Sequence, residues 1–250
     1  MAGHSKFKNI MHRKGAQDAK RAKQFAKLVR ELIVAVKTGG EDPEFNPRLR
    51  TAIATAKAAN LPKDRIVNAI KKASSGQEGD DFEEVRYECY APGGIALIID
   101  ALTNNRNRAS GEIKAALSKY HSTLAEPGSV IYMFDRVGMM EFHSDQISPD
   151  EIMEAAIESG AEECESDENI HEIYCDPDEL NSVREFLANK FGDPVVTELT
   201  WKAKNKISIN DVEKAEKLLK LIDILEDNED VQSVSGNYEI PDEIAEKINI

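Results

Sequence analysis

The residues whose type and spacing could do chemistry are lysines and arginines clustered near the start of the chain. In the first 38 residues, only Asp18 and Glu31 oppose them. A phosphate backbone offers regularly spaced negative charge, and cations that neutralise it release bound counterions. The cluster therefore predicts binding to nucleic acid. The candidate phosphate-binding residues are Lys6, Lys8, Arg13, Lys14, Lys20, Arg21, Lys23, Lys27 and Arg30.

Two other interpretations of this basic cluster are open: a solvated helix face, or an amphipathic helix lying on anionic lipid. Residues 1–73 carry 17 Lys/Arg and 6 Asp/Glu, whereas residues 74–250 carry 15 and 40. Acidic headgroups would repel the second segment, so no membrane partner is expected. The same acidity disfavours indiscriminate coating of nucleic acid and indicates one oriented contact, with the acidic C-terminal domains facing solvent or a protein partner.

Arg106 and Arg108 form a second, smaller basic cluster within Asn104-Asn105-Arg106-Asn107-Arg108, just before a predicted helix. Asparagine and arginine side chains could bind a loop of RNA, and they could equally cap and position that helix. Both interpretations are open, and the two arginines are secondary candidates for nucleic-acid binding.

The sequence lacks the glycine patterns of phosphate-binding loops, and we interpret Pro92-Gly93-Gly94 as a hairpin turn. His171 and Cys175 stand four residues apart, but they lie in a predicted strand and have no third ligand. The abundant carboxylates are typical of a solvated acidic face. We therefore expect no metal, no cofactor and no enzymatic activity.

Cys89, Cys164 and Cys175 are widely spaced, which favours buried thiols in a reducing compartment over a disulfide framework. No apolar stretch approaches the roughly 18 residues that cross a bilayer, and no apolar run follows the basic N-terminus as it would in a signal peptide. These features predict a soluble, cytoplasmic protein.

Helical periodicity dominates the basic segment after a predicted N-terminal arm, residues 1–14. A helix is predicted from Gln17 to Lys37, a second opens at Asn46-Pro47, and a third opens at Pro62 with Lys63, Arg65, Lys71 and Lys72 outside. Together they predict a small helical bundle, because short amphipathic helices cannot bury their apolar stripes alone. The stripe of the first helix is Ala22, Phe25, Ala26, Val29, Leu32, Ile33 and Val36.

Strand patterns begin after the polar stretch Ser74 to Asp81. Two strands, a helix and a strand at Ser129–Phe134 come first. Residues 137–206 then follow the β-α-β-β-α-β order of a ferredoxin-like unit. The predicted fold is a multi-domain α and α+β protein: a helical domain (1–78), a discontinuous α+β domain (79–136 and 207–250) and an inserted acidic ferredoxin-like domain (137–206).

The sequence also resembles the YebC/PmpR family over nearly its whole length. The blocks that carry the resemblance are AGHSKFKNIMHRKGAQDAKRAKQF, KLVREL, GGEDPEFNPRLRTAIATAKAANLPKD, YECYAPGGIALIIDALTNNRNR, EPGSVIYMFDRVG, SGAEE and LEDNEDVQSV. The chain departs from the family pattern at Phe7, where Trp is usual, at Cys89 and Ala91, where Gly is usual, and at His121-Ser122-Thr123, which replaces a glycine-rich turn.

The resemblance implies a helical N-terminal domain and two α+β domains, one of them ferredoxin-like and inserted in the other. Members are customarily labelled DNA-binding transcriptional regulators. A mitochondrial relative is a translational activator for cytochrome c oxidase, bacterial members are linked to relief of ribosome stalling, and no enzymatic activity defines the family. Our first expectation is a ribosome-associated, ribosomal-RNA-binding translation factor. The alternatives are a promoter-binding transcriptional regulator and, remotely, a hydrolase or nuclease.

Overall fold

The computed structural model describes residues 17–75 and 81–248 of the chain, with the side chains of residues 17–20 left out. The predicted N-terminal arm lies outside the described residues. The chain divides into two compact units, each described separately below. The described residues of unit 1 are 28–75 and 136–200, and those of unit 2 are 17–27, 81–135 and 201–248.

Three helices occupy the basic segment: α1 (Gln17–Gly39), α2 (Pro47–Ala58) and α3 (Lys63–Ser74). All three begin where the sequence predicts. The stripe predicted for α1 is only partly correct, because Ala22 and Ala26 are exposed. Burial on α1 starts further along, since periodicity shows which residues share a face but not where that face meets a partner. The buried residues of α1 are Leu32, Val34, Ala35 and Val36.

Asn46 fixes the junction between α1 and α2. Its side-chain oxygen accepts the Leu49 N–H at 3.0 Å, which caps α2, and its amide nitrogen donates to the carbonyl oxygens of Ala35 and Gly40, each at 2.8 Å. A Cβ at Gly39 would lie 2.7 Å from the Asn46 side chain. The junction therefore requires both a glycine and a buried amide.

In the part of the chain that forms the first sheet, one element differs from the prediction. A 3₁₀ turn at Ile131–Met133 stands where a strand at Ser129–Phe134 was predicted, so that prediction was wrong. The carboxylate of Glu88 accepts the backbone N–H groups of Val130 and Ile131, and these donors are therefore lost to any strand ladder. The preceding elements are β1 (Glu83–Ala91), β2 (Ile95–Thr103), α4 (Arg106–Lys119) and β3 (Thr123–Leu124).

The predicted ferredoxin-like order is confirmed. Its sheet has the strand order β5-β6-β4-β7, and β6 runs antiparallel to both β4 and β5. Thr55 of α2 donates to the carbonyl oxygen of Thr197 at 2.7 Å, a contact within unit 1. The elements are β4 (Phe134–His143), α5 (Pro149–Ser159), β5 (Glu163–Ser166), β6 (Ile170–Cys175), α6 (Leu180–Phe191) and β7 (Val196–Ala203).

The chain then returns to the first sheet. Strand β9 pairs with β2 and places Gly236 opposite Leu97, giving the order β3-β1-β2-β9. Side chains of α4 and α7 pack against buried side chains of β1, β2 and β9 to form the core on this sheet. The predicted fold class, an α+β domain carrying a ferredoxin-like insertion, is thereby confirmed. The elements added are β8 (Ile207–Ser208), α7 (Val212–Glu226), β9 (Val231–Gly236), β10 (Tyr238–Glu239) and α8 (Asp242–Ala245).

Candidate nucleic-acid interface

Two of the predicted phosphate-binding residues contact the acidic end of α7 in unit 2. Lys23 Nζ lies 3.3 Å from a carboxylate oxygen of Asp227, and Lys27 Nζ donates to the Glu226 carbonyl oxygen at 2.5 Å. The last turn of a helix carries partial negative charge, which adds to that of the carboxylate. Both cations are half-buried, so a phosphate that binds them must replace these internal contacts.

Arg21 is exposed on the first part of α1. Its guanidinium carbon lies 5.3 Å from the centre of the Phe25 ring, within the range of a cation–π contact. The five N–H donors of an exposed guanidinium can reach a phosphate. Arg21 is therefore the candidate residue best placed for such a contact among the side chains described on α1.

Of the remaining predicted phosphate-binding residues, Arg30 alone has a side chain within the described part of the chain. Arg30 is half-buried in α1. Lys20 belongs to α1, but its side chain is outside the described part of the chain. The other four, Lys6, Lys8, Arg13 and Lys14, also lie outside the described residues.

Helix α3 carries a second set of cations, which were not among the candidate site residues predicted from the sequence. Lys63, Arg65, Lys71 and Lys72 are all exposed and lie outside the stripe formed by the buried Ile66 and Ala69. Their helical spacing places them outside the buried stripe, and this is the sequence signal by which they could be found.

The secondary pair, Arg106 and Arg108, has two different environments. Arg108 donates to a carboxylate oxygen of Asp230 at 2.8 Å, and the Asp230 side chain is 3% exposed. The hydrogen bond from Arg108 and the negative charge of Asp230 raise the pKa of the guanidinium. Arg106 is exposed in the first turn of α4. Asn105 caps that helix by accepting the Arg108 N–H at 3.0 Å.

Cys89, Cys175 and His171, whose side chains could act as a nucleophile or a base, are buried in the fold. Burial raises the pKa of the Cys89 and Cys175 thiols to about 12, so both are protonated and poor nucleophiles. His171 lies in β6, as the sequence predicts, and its ring nitrogens contact the Ser166 hydroxyl at 2.7 Å and the Ile147 carbonyl at 2.9 Å.

No metal centre or membrane-spanning element is found in the described residues. Nowhere in residues 17–75 and 81–248 do three His, Cys, Asp or Glu side chains converge so that they could hold a metal ion. Among the helices described there, none has the length and apolar content needed to cross a membrane.

The fold and charge distribution define a class of protein in which basic helices precede two acidic α+β regions. Residues 5–76 match a family model described as the TACO1/YebC protein N-terminal domain. Residues 82–238 match a second model, described as the TACO1/YebC second and third domain. The chain therefore belongs to the TACO1/YebC family, and the resemblance seen in the sequence is confirmed.

Similar proteins span almost the same length. Two proteins from Rickettsia bellii, of strains OSU 85-389 and RML369-C, are each 52% identical over 246 residues, which is 98% of this chain and 96% and 97% of theirs. Both are named probable transcriptional regulatory proteins. The crystal structure of a conserved hypothetical protein from Aquifex aeolicus is 46% identical with a TM-score of 0.85, covering 92% of this chain and 95% of its own.

Proposed function

We propose that the protein is a non-enzymatic regulator of gene expression that binds the phosphate backbone of nucleic acid through its cationic N-terminal segment. The observation that carries the proposal is the charge division, with 17 Lys/Arg against 6 Asp/Glu in residues 1–73 and the opposite balance beyond them. Exposed cations on α1 and α3 support it. The acidic remainder orients the molecule by keeping its other surfaces away from phosphate.

Ribosomal RNA is the first candidate target. A DNA reader sets Arg, Asn or Gln at the N-terminal end of a recognition helix, where these side chains reach base edges in the major groove. Helix α1 has one such residue, Gln17, in its first turn, but Asp18 and Ala19 follow it and the cations are spread along the length of the helix. Spread cations suit contact with a backbone and carry no sequence readout.

Transcriptional regulation through DNA is the second candidate, and the names of the Rickettsia bellii relatives favour it. Phosphate contacts position a protein on either nucleic acid, so the cationic helices fit both targets. What separates the candidates is the particle with which the protein associates in the cell.

Sedimentation of native lysate distinguishes the two candidates. We expect the protein to travel with ribosomal particles in low salt, to leave them as salt rises, and to remain after treatment with DNase. Removal from the particle fractions by DNase, with recovery of the protein on promoter fragments, would favour the transcriptional candidate. A variant with Lys20, Arg21, Lys23 and Lys27 changed to Gln should leave the particles, whereas its control, with Lys114, Lys119, Lys217 and Lys220 changed to Gln, loses the same charge and should remain on them.

A further inference from the structure

We infer that the outer face of α3 is a second phosphate-backbone contact, formed by Lys63, Arg65, Lys71 and Lys72. This inference rests on the proposed function and extends it to a second helix. All four side chains are exposed, and the buried Ile66 and Ala69 anchor α3 between them.

The spacing of these cations suits a polyanion. Arg65 and Lys72 are seven residues apart, which is about two helical turns, and they therefore lie on one ridge. Lys71 lies about 100° around the helix from Lys72, and Lys63 lies about 180° from it, so the four cations are spread around the exposed side of α3. Between Arg65 and Lys72 the ridge rises about 10 Å, which corresponds to about three phosphates of one DNA strand at about 3.4 Å each.

Helix stability does not explain all four cations. Lys71 and Lys72 lie in the last turn of α3, where a positive charge favours the helix dipole. Lys63 and Arg65 lie in the first turn, where a positive charge opposes it. Only Asp64 balances that turn with an acidic charge. A ligand that brings negative charge to this face accounts for the cations that the dipole disfavours.

Within residues 17–75 and 81–248, no carboxylate forms an ion pair with Lys63, Arg65, Lys71 or Lys72. Lys23 and Lys27 on α1, in contrast, already contact Asp227 and the end of α7. A phosphate therefore meets less competition on α3 than at these two lysines.

The ligand class is the sugar–phosphate backbone and not a particular base sequence. Asn68 is the neutral polar residue exposed among the cations, and no aromatic residue occurs in α3 for a base to stack upon. Stacking on aromatic side chains is the usual contact to single-stranded bases. Affinity through α3 should accordingly be insensitive to sequence and sensitive to salt.

The test compares three full-length variants, each with four cations changed to Gln. The first changes the α3 residues Lys63, Arg65, Lys71 and Lys72, and the second changes the α1 residues Lys20, Arg21, Lys23 and Lys27. The third is the control on unit 2, with Lys114, Lys119, Lys217 and Lys220 changed. Because all three variants lose the same charge, any difference in their affinities shows which positions contact the nucleic acid. Fluorescence anisotropy measures the affinity for a labelled duplex DNA and a labelled RNA hairpin across a salt series.

We expect the α3 variant to bind both probes about tenfold or more weakly than the control variant, and to lose about 3 units of the slope of log affinity against log salt. Affinity and slope equal to those of the control, with a loss in the α1 variant, would overturn the α3 contact and leave the proposed function standing. Absence of salt-dependent binding by the unaltered protein would overturn both. Should circular dichroism show that the quadruple α3 variant is unfolded, Lys71→Gln with Lys72→Gln must still lose about half of that slope.

Discussion

At the scale of single residues, the structure depends on two buried carboxylates whose partners are far away in the chain. Glu88 is 6% exposed and accepts N–H groups from Gly128, Val130 and Ile131 at 2.7, 2.7 and 3.0 Å. Asp230 holds Arg108, 122 residues away. Neither pairing could be predicted from the sequence, because a charge pattern gives local neighbours while these contacts are created by sheet topology.

Replacing Glu88 with Gln should lower the free energy of unfolding by about 1 to 3 kcal/mol at neutral pH, because one buried N–H donor loses its acceptor. Burial alone would raise the pKa of this carboxyl, but the three backbone donors and the positive charge of Arg86 together outweigh it and hold the pKa below its usual value. The ionised form is therefore the one that stabilises the fold. Urea unfolding of both proteins measures the difference.

The pH dependence of this difference follows from the lowered pKa. The Glu88 contribution is complete above the unfolded-state pKa of about 4.3, and it is lost as pH falls through the lower folded-state pKa. The difference in the free energy of unfolding between the natural protein and Glu88→Gln should therefore become smaller as the pH falls. Glu83→Gln, an exposed change on the same strand, serves as control and should be neutral throughout. A gap that stays constant down to acidic pH would contradict this account of Glu88.

Arg108 and Arg106 should differ sharply when each is changed to Gln. Arg108→Gln removes the cation that faces the buried carboxylate of Asp230, so the urea midpoint should fall clearly. Arg106→Gln alters an exposed side chain and should leave the midpoint within error. If Arg108→Gln were as stable as the natural protein but bound RNA more weakly, Arg108 would be a contact for nucleic acid and not a structural residue.

At the scale of helices and strands, local signals located most elements, and long-range contacts caused the failures. Asn46-Pro47 correctly marked the start of α2, because an Asn cap and a first-turn proline act within a few residues. The apolar pattern at Ser129–Phe134 instead gave a 3₁₀ turn, since Glu88 draws its N–H groups away. His121 has a left-handed backbone with a φ of 56°, which the pattern of apolar residues likewise could not predict.

The junction between α1 and α2 should be sensitive to Asn46→Ala. This change removes the cap of α2 and leaves the carbonyl groups of Ala35 and Gly40 without their amide donor, at a cost of about 2 to 4 kcal/mol. Asn105→Ala, which removes only an exposed cap, should cost about 1 kcal/mol. Chemical unfolding followed by far-ultraviolet circular dichroism compares the two, and equal costs would contradict the role of the buried amide.

At the scale of the whole molecule, the main feature is the uneven distribution of charge along the chain. The net charge of −14 conceals a basic segment and a strongly acidic remainder. Residues 137–200 alone carry 18 Asp/Glu and 2 Lys/Arg. Sequence counting detects this division completely, because formal charge needs no structure. It could not show that Lys23 and Lys27 are occupied by the end of α7, or that α3 carries exposed cations without ion-pair partners in the described residues.

The central claim is that the cationic N-terminal segment binds phosphate by charge, and the salt dependence of nucleic-acid affinity tests it most directly. If the segment engages about six phosphates, the slope of log affinity against log salt should be about −4 to −5, and steeper if α3 also engages. Changing Arg13, Lys14, Lys20 and Lys27 together to Gln should weaken binding to every sequence alike and reduce the slope by roughly 3 to 4 units. A folded quadruple variant that keeps both its affinity and its slope would contradict the claim.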